Sequence, residues 1–186
     1  MKQELNTLKA CDIALKTRRM TRLALLVAVA LILHAVESMI PAALPVPGAK
    51  LGLANIITLI AIVLGGPYDA LVVVALRTLI ASLLSGRLTG FAFSIVGGIF
   101  ATLVMSLAYT QLSHLLGFTG ISILGAVAHN IGQLLVAWFV LKTSGIFYYL
   151  PALLIAGVAT GFFVGLTAGY VVRYLLNGAS FTGRRP

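Results

Sequence analysis

Six long stretches of almost uninterrupted apolar residues restrict what this chain can fold into more than any other feature. They lie at about 23–40, 51–66, 68–85, 89–110, 121–141 and 147–175, separated by charged residues, prolines and glycines. Stretches of this kind are typical of helices that cross a lipid bilayer. The sequence therefore predicts six transmembrane helices, several of them short enough to require tilting, a locally thinner bilayer or loop segments that enter the bundle.

The composition agrees with lipid as the main solvent. Of 186 residues, 60% are hydrophobic and 9% are charged, whereas a soluble domain carries about 25% charged residues. This excludes a soluble enzyme, a disordered tail and, with Cys11 as the single cysteine, a disulfide scaffold. A β-barrel is disfavoured because residues 23–33 are continuously apolar and lack the alternation of barrel strands. The predicted fold class is an all-α integral membrane protein with one six-helix bundle.

The net charge of +9 comes from basic residues at the ends of the apolar stretches, where they act as topology signals and not as a nucleic-acid groove. With six helices both termini share one side of the membrane, and most of the cations lie there: Lys2, Lys9, Lys16, Arg18, Arg19, Arg22, Arg173, Arg184 and Arg185. Both termini are therefore predicted to be cytoplasmic. Residues 1–22 and 176–186 would be basic tails, and residues 23–175 the membrane domain of a cell-membrane protein.

The motifs of an ATPase and of a metal-dependent catalyst are missing from the sequence. No lysine stands in the GxxxxGK[ST] pattern of a P-loop. Aspartate occurs only at Asp12 and Asp69, so no aspartate-rich cluster exists to hold the magnesium ions of a prenyl diphosphate synthase, and zinc motifs are absent too. We therefore expect no catalytic residues, no metal and no cofactor, and any ATP-driven process would need partner subunits.

Few polar residues fall within the apolar stretches. An ionisable group at membrane depth costs about 2.5–3.5 kcal/mol on insertion scales, and it usually faces the bundle interior or water. The predicted topology places these residues around one cavity in the outer half of the membrane, suited to a polar, anionic or zwitterionic ligand, with Arg77 nearby and Arg87 at the rim. The candidate substrate-binding residues are Glu37, Lys50, Asn55, Ser94, His129, Asn130 and Gln133.

Structural roles remain open for the uncharged candidates. Asn130, Gln133 and Ser94 would serve equally well as hydrogen-bonding groups between helices, which is an ordinary use of polar side chains in membranes. His129 taken alone is more often an interior histidine than a ligand-binding group. The spacing therefore leaves both functions possible for each of these side chains.

The charged candidates have structural alternatives as well. Glu37 would be neutralised by Arg77 or Lys50 in a purely structural pair. Arg77 would alternatively snorkel or pair with Asp69, although eight residues of helix, about 12 Å, separate those two positions.

Small residues recur at helical spacing in two places. The last apolar stretch carries a strip suited to close helix packing, formed by Gly157, Gly161, Gly165 and Gly169. The first stretch carries the pair Ala24 and Ala28, with Ala30 expected to extend the same small surface. This second surface would serve either internal packing or the docking of another membrane subunit.

Several short motifs make the chain resemble known membrane proteins. The basic entry Arg18-Arg19-Met-Thr-Arg22-Leu-Ala24-Leu-Leu-Val-Ala28 into a small six-helix bundle resembles the substrate-binding S components of energy-coupling factor (ECF) transporters. A second set of motifs is similar to the Gx transporter family, also catalogued as heptaprenyl diphosphate synthase component I. These motifs are His34-x-x-Glu37-x-x-Ile40-Pro41, Pro45-Val-Pro47-Gly48-Ala-Lys50-Leu51-Gly52-Leu-Ala54-Asn55, Ser94-x-x-Gly97-Gly98 and Gly125-Ala-x-x-His129-Asn130-x-Gly132-Gln133. The similarity covers about residues 18–172.

The resemblance implies a fold, a function and partners. It implies an S-component-like bundle with an outer ligand pocket under the first external loop, and with Ala24 and Ala28 facing an ECF-type transmembrane coupling subunit joined to cytoplasmic ATPases. The implied function is that of a substrate-binding subunit for uptake of a small molecule, without enzymatic activity. The catalogued name implies the alternative of an accessory membrane subunit in polyprenyl (heptaprenyl) diphosphate or quinone-precursor synthesis, with direct catalysis disfavoured by the missing aspartate clusters.

Overall fold

The computed structural model describes residues 2–39, 52–86 and 88–181, and this part of the chain consists of helices joined by short turns. Five helices in it are long and apolar enough to cross a membrane, which agrees with the predicted all-α, multi-pass membrane protein. The elements in chain order are α1 (Lys2–Met39), α2 (Ala54–Ser85), α3 (Leu88–Leu112), α4 (Phe118–Leu141), a short 3₁₀ helix (Ser144–Tyr149) and α5 (Leu150–Phe181).

The structure has five such helices where the sequence predicted six, because the second and third predicted helices are joined in α2. This helix is broken at Gly66, whose φ of 83° and ψ of −178° lie outside the helical region. That backbone conformation is essentially restricted to glycine, and Pro67 follows it without an N–H to donate. The break falls where the stretches predicted at 51–66 and 68–85 meet, and it divides α2 into a first arm, 54–65, and a second arm, 67–85.

The break in α2 lies beside the N-terminal half of α1. Arg22 of α1 donates a hydrogen bond from Nη1 to the carbonyl oxygen of Leu64 at 2.7 Å, and from Nη2 to Asp69 Oδ2 at 2.8 Å. Arg22 therefore binds residues on both sides of Gly66, which places the break in α2 next to Arg22 of α1.

The start of the first arm lies beside the C-terminal end of α1, and Arg77 in the middle of the second arm lies towards the same end. The backbone N–H of Gly52, just before the first arm, donates to Glu37 Oε1 at 2.5 Å. The charge of Glu37 also acts on Arg77 of the second arm. Residues 22 and 37 are about 22 Å apart along α1 at 1.5 Å per residue. The first arm therefore runs against the direction of α1 and the second arm returns along it.

Helix α4 packs between α3 and α5 through glycines. A Cβ added at Gly161 of α5 would lie 2.7 Å from the Cα of Ile123, and one at Gly165 would lie 2.5 Å from the Cα of Thr119. The predicted glycine strip of α5 thus faces α4 at backbone contact distance. On the other side of α4, a Cβ at Gly132 would lie 3.1 Å from the Cα of Gly97 in α3.

The alanines of α1 divide between two sides of the helix. Ala24 and Ala28 are exposed, so they do not pack inside the described bundle. Ala30 is fully buried in the main core, where it joins Val27. The expectation that Ala30 extends the small surface is therefore wrong, because two residues turn a helix by about 200° and place Ala30 on the opposite side from Ala28.

Helices α1 and α5 both extend into the predicted tails. Residues 9–21 of α1 are exposed along their whole length. The basic N-terminal segment therefore continues the first membrane helix, and α5 likewise extends to Phe181.

Candidate functional site

Buried polar side chains gather at the end of the bundle where α1 ends. Glu37, 8% exposed, accepts the hydrogen bond from the N–H of Gly52, and Asn55 is buried one turn further along the chain. Gly52 has a φ of 72°, and a Cβ there would lie 3.1 Å from Asn55 Nδ2. A left-handed, close-packed glycine thus brings the Glu37 carboxylate and the Asn55 amide to the same place.

Arg77 completes this cluster from the second arm of α2. Its side chain is buried beside α3, where a Cβ added at Gly98 would lie 3.7 Å from Arg77 Nη2. Glu37 is the charged group that acts on it, and in the described part of the chain Arg77 Nε has no hydrogen-bond partner. Glu37 and Arg77 are therefore two buried groups of opposite charge inside the bundle, and no ion pair within 4 Å joins them in the described part of the chain.

The alternative pairing of Arg77 with Asp69 is wrong, because two arginines of α1 occupy that carboxylate. Arg19 donates to Asp69 Oδ1 from Nε at 2.9 Å and from Nη2 at 2.5 Å, and Arg22 donates to Oδ2. The guanidinium of Arg19 also lies 5.4 Å above the centre of the Tyr68 ring. The sequence interpretation treated both arginines only as topology signals, although their spacing of three residues puts them on one face of α1.

Asn130 and His129 of α4 face different helices. Asn130 donates from Nδ2 to the carbonyl oxygen of Leu153 in α5 at 2.7 Å, so its amide serves a bond between helices. His129 packs against α3, where a Cβ added at Gly97 would lie 3.0 Å from the ring carbon Cε1. For Asn130 this contact favours the structural alternative.

A small polar void lies where these residues meet. Its volume is about 10 Å³, which is room for about one water molecule. Ser122 and Thr160 were not predicted for this site, although Ser122 lies seven residues before His129 and thus on the same face of α4. Ser122 is 2% exposed, and its hydroxyl has no hydrogen-bond partner within the described ranges. The polar lining consists of Asn55, Ser122, His129, Asn130 and Thr160.

Gln133 lies in a second, larger cavity of about 430 Å³. This cavity is formed by α3, the C-terminal half of α4, the 3₁₀ helix and the start of α5. The residues that line it are Phe93, Gln133, Leu134, Ala137, Leu141, Thr143, Gly145, Ile146, Tyr149 and Leu153. The prediction of a single cavity for all candidates is therefore wrong: the structure places Asn55, His129 and Asn130 at one void and Gln133 at another.

The remaining candidates are distributed as follows. Ser94 is partly buried on α3 and lines neither cavity. Lys50, the proline-rich loop at 41–47 and Arg87 lie outside the described residues. Within the ranges that the structure describes, no group of three or more His, Cys, Asp or Glu side chains is placed to hold a metal ion.

A family model described as heptaprenyl diphosphate synthase component I matches residues 26–171 of the chain. The match begins within α1 and ends within α5, so it includes both cavities, Glu37 and Arg77. Comparison with curated proteins and comparison with solved structures gave no match.

Proposed function

This chain belongs to the family described as heptaprenyl diphosphate synthase component I, and from that premise we propose that it is a substrate-binding membrane subunit for uptake of a small molecule. The observation that carries the proposal is the burial of two oppositely charged groups, Glu37 and Arg77, together with the carboxamide of Asn55 inside a mainly apolar bundle. Charged groups inside a membrane bundle are costly and mark ligand or ion sites by default. A bundle that served only as an anchor would not need them.

The proposed topology has six crossings with both termini in the cytoplasm. The two arms of α2 would cross separately, which the reversal at Gly66 supports. At 1.5 Å per residue the first arm is about 18 Å long, shorter than the roughly 30 Å of hydrocarbon, so it would require a thinner bilayer or help from the preceding segment. The basic residues near both termini support the cytoplasmic orientation. Glu37, Gly52 and the larger cavity would then lie towards the outside.

Partner subunits would supply the energy for uptake. The sequence lacks a P-loop lysine, so the chain would have no enzymatic activity and would depend on cytoplasmic ATPases joined through an ECF-type coupling subunit. The exposed alanines of α1, Ala24 and Ala28, give this coupling subunit a flat surface to approach.

The family description favours a second candidate function. As a component of heptaprenyl diphosphate synthase, the chain would be an accessory membrane subunit that assists a separate prenyl synthase, since it has no aspartate-rich cluster of its own. Its apolar cavity would then hold a precursor or product for that enzyme and not a transported molecule.

Native mass spectrometry of the gently purified protein from its own membrane tests both candidates. Uptake predicts a retained small molecule together with a membrane coupling protein and ATPases. The accessory role predicts a co-purifying prenyl synthase that gains activity in the complex. The variant Ala24→Leu/Ala28→Leu should lose the coupling protein, whereas Ala159→Leu on the exposed side of α5 should keep it. Purification of the chain with neither partner nor small molecule would rule out both functions.

A further inference from the structure

The larger cavity has the size and lining of a ligand site for a mostly apolar molecule. Its volume of about 430 Å³ falls within the roughly 300–1,000 Å³ of small-molecule pockets. On α4 its lining runs from Gln133 to Leu141, a distance of about 12 Å at 1.5 Å per residue. An extended hydrocarbon chain fits such a shape.

Gln133, Thr143 and Tyr149 are the polar residues in this mainly apolar lining, and Gln133 is the one that is buried. Its side chain is 5% exposed and faces the cavity, and in the described part of the chain its amide has no hydrogen bond. An amide that borders a cavity and has no protein partner is available to hydrogen-bond a ligand or a water molecule. The amide offers two N–H donors and one carbonyl acceptor, all uncharged.

Gly97 of α3 holds this amide in place. A Cβ added at Gly97 would lie 3.0 Å from Gln133 Cγ, so the aliphatic part of the glutamine rests directly on the α3 backbone. The aliphatic stem is thereby held against α3 on one side of the cavity that Gln133 lines.

The absence of charged side chains in the described lining indicates the charge of the ligand. Among the described residues that line the cavity, none carries a charge. A carboxylate, phosphate or ammonium group bound there would lose its hydration without gaining a counter-ion. We propose that this cavity binds a neutral, mainly hydrocarbon molecule whose single hydroxyl, carbonyl or amide group pairs with the Gln133 side chain.

This inference rests on the proposed role as a binding subunit, and it narrows the ligand from the polar or charged molecule expected from the sequence to a neutral one. Two kinds of molecule have this chemistry: a free metabolite, and a bilayer lipid that binds through its ester-linked chain. The cavity and the coupling partners are tested separately, so absence of partners would remove the uptake role and leave the cavity assignment intact.

Binding can be measured through Trp138, the single tryptophan of the chain. It follows the lining residue Ala137 directly, and its ring lies 6.3 Å from the ring of Phe147 in the 3₁₀ helix. The full-length protein in detergent is titrated with 1-decanol, with decanoate and with decane, which share one chain length. We expect saturable binding of decanol, and at least tenfold weaker binding of decanoate and decane.

The variant Gln133→Leu keeps the volume and removes the amide. It should weaken decanol binding by about tenfold, the equivalent of one hydrogen bond, and Gln111→Leu on an exposed site of α3 should not. Without ligand, Gln133→Leu should raise the Tm by roughly 2–8 °C, because it removes an unpaired amide. A lower Tm, or equal binding of the three probes, would show that Gln133 only packs the helices and would overturn the proposal.

Blocking the cavity gives an independent test. Ala137→Phe should abolish decanol binding, while Ala159→Phe on the exposed side of α5 should preserve it. Native mass spectrometry identifies the source, since a bilayer lipid would be retained by the wild type and lost from both Ala137→Phe and Gln133→Leu. Retention of the same lipid by Gln133→Leu would overturn the proposal, because a lipid held without the amide occupies only an apolar groove.

Discussion

Arg22 Nη2 donates to Asp69 Oδ2 at 2.8 Å, and this bond fastens α1 to the start of the second arm of α2. The Asp69 side chain is 3% exposed, whereas the side chains of Arg22 and Arg19 are 39% and 49% exposed. The carboxylate is therefore the buried member of the group, and the two arginines cover it from the side of α1. We infer that the Asp69 charge fixes the geometry of the break at Gly66.

Replacement of Asp69 by Asn should destabilise the protein. The variant keeps the size of the side chain but removes the charge that both guanidinium groups bind, which costs about 1–3 kcal/mol for hydrogen bonds to a charged group. At about 2–4 °C per kcal/mol for a chain of this size, thermal unfolding in detergent should show a clear fall in Tm. Asp12→Asn, at an exposed position of α1, is the matched control. Equal Tm values for the two variants would contradict a structural role of Asp69.

Replacement of Gly66 by Ala should also lower stability. At φ 83° and ψ −178° a Cβ is strained, at a cost of about 1–3 kcal/mol. No atom lies within 4 Å of such a Cβ, so the loss would come from the backbone and not from a clash. Gly145→Ala, where φ is not positive and a Cβ would lie at an ordinary 3.5 Å from Thr143, should leave the Tm nearly unchanged. If both variants behave alike, the reversal does not depend on the conformation of Gly66.

The helices were predictable because lipid leaves few choices. Without water in the hydrocarbon, backbone groups must pair within the chain, so the length of an apolar stretch is nearly sufficient to assign a helix. The Gly-Gly-Pro sequence at 65–67 also marked the break inside α2. The sequence did not indicate that the helix continues on both sides of Gly66 with one non-helical residue, because that depends on the contacts of Arg22 with Leu64 and Asp69.

The division of the candidate site was not predictable for a different reason. Asn130 and Gln133 lie three residues apart and were assigned to one face of α4. Their side chains nevertheless reach different neighbours, since Asn130 binds the Leu153 carbonyl of α5 and Gln133 rests on Gly97 of α3. Hydropathy and spacing give the faces of a single helix, but they do not tell which helix covers each face.

The glycine strip of α5 predicts a graded series of alanine variants. Gly165→Ala would place a Cβ 2.5 Å from the Cα of Thr119, so the helices must separate, and overpacking of this kind costs typically 1–3 kcal/mol. Gly169→Ala places its Cβ at an ordinary 3.4 Å from Phe118. The Tm should fall for the first variant and stay the same or rise for the second, as alanine is the better helix former. Similar Tm values for both would show that the strip does not set the distance between α4 and α5.

Glu37 and Arg77 should be coupled in stability. Removal of one charge leaves the opposite buried charge less compensated, so Glu37→Gln and Arg77→Met should each lower the free energy of unfolding, at most by the roughly 3–5 kcal/mol of a broken buried pair. The double variant removes both charges and should be less destabilised than the sum of the single variants, with a coupling of about 0.5–3 kcal/mol. Glu37→Gln combined with Arg19→Met serves as the control cycle. Residues 19 and 37 lie about 27 Å apart along α1, so their effects should add.

The same double variant distinguishes a purely structural role of Glu37 and Arg77 from a role of Glu37 in ligand binding. If the two charges only neutralise each other, the double variant should fold and retain whatever small molecule the wild type retains from its membrane, as detected by native mass spectrometry. If Glu37 also binds the transported molecule, the double variant should fold and lose it, whereas Gln133→Leu would affect only a ligand in the larger cavity. Loss of the molecule from the double variant with retention by Gln133→Leu would assign binding to the end of the bundle where Glu37 meets Gly52. The opposite pattern would assign binding to the cavity along α4, because neither Glu37 nor Arg77 is among the described residues that line that cavity.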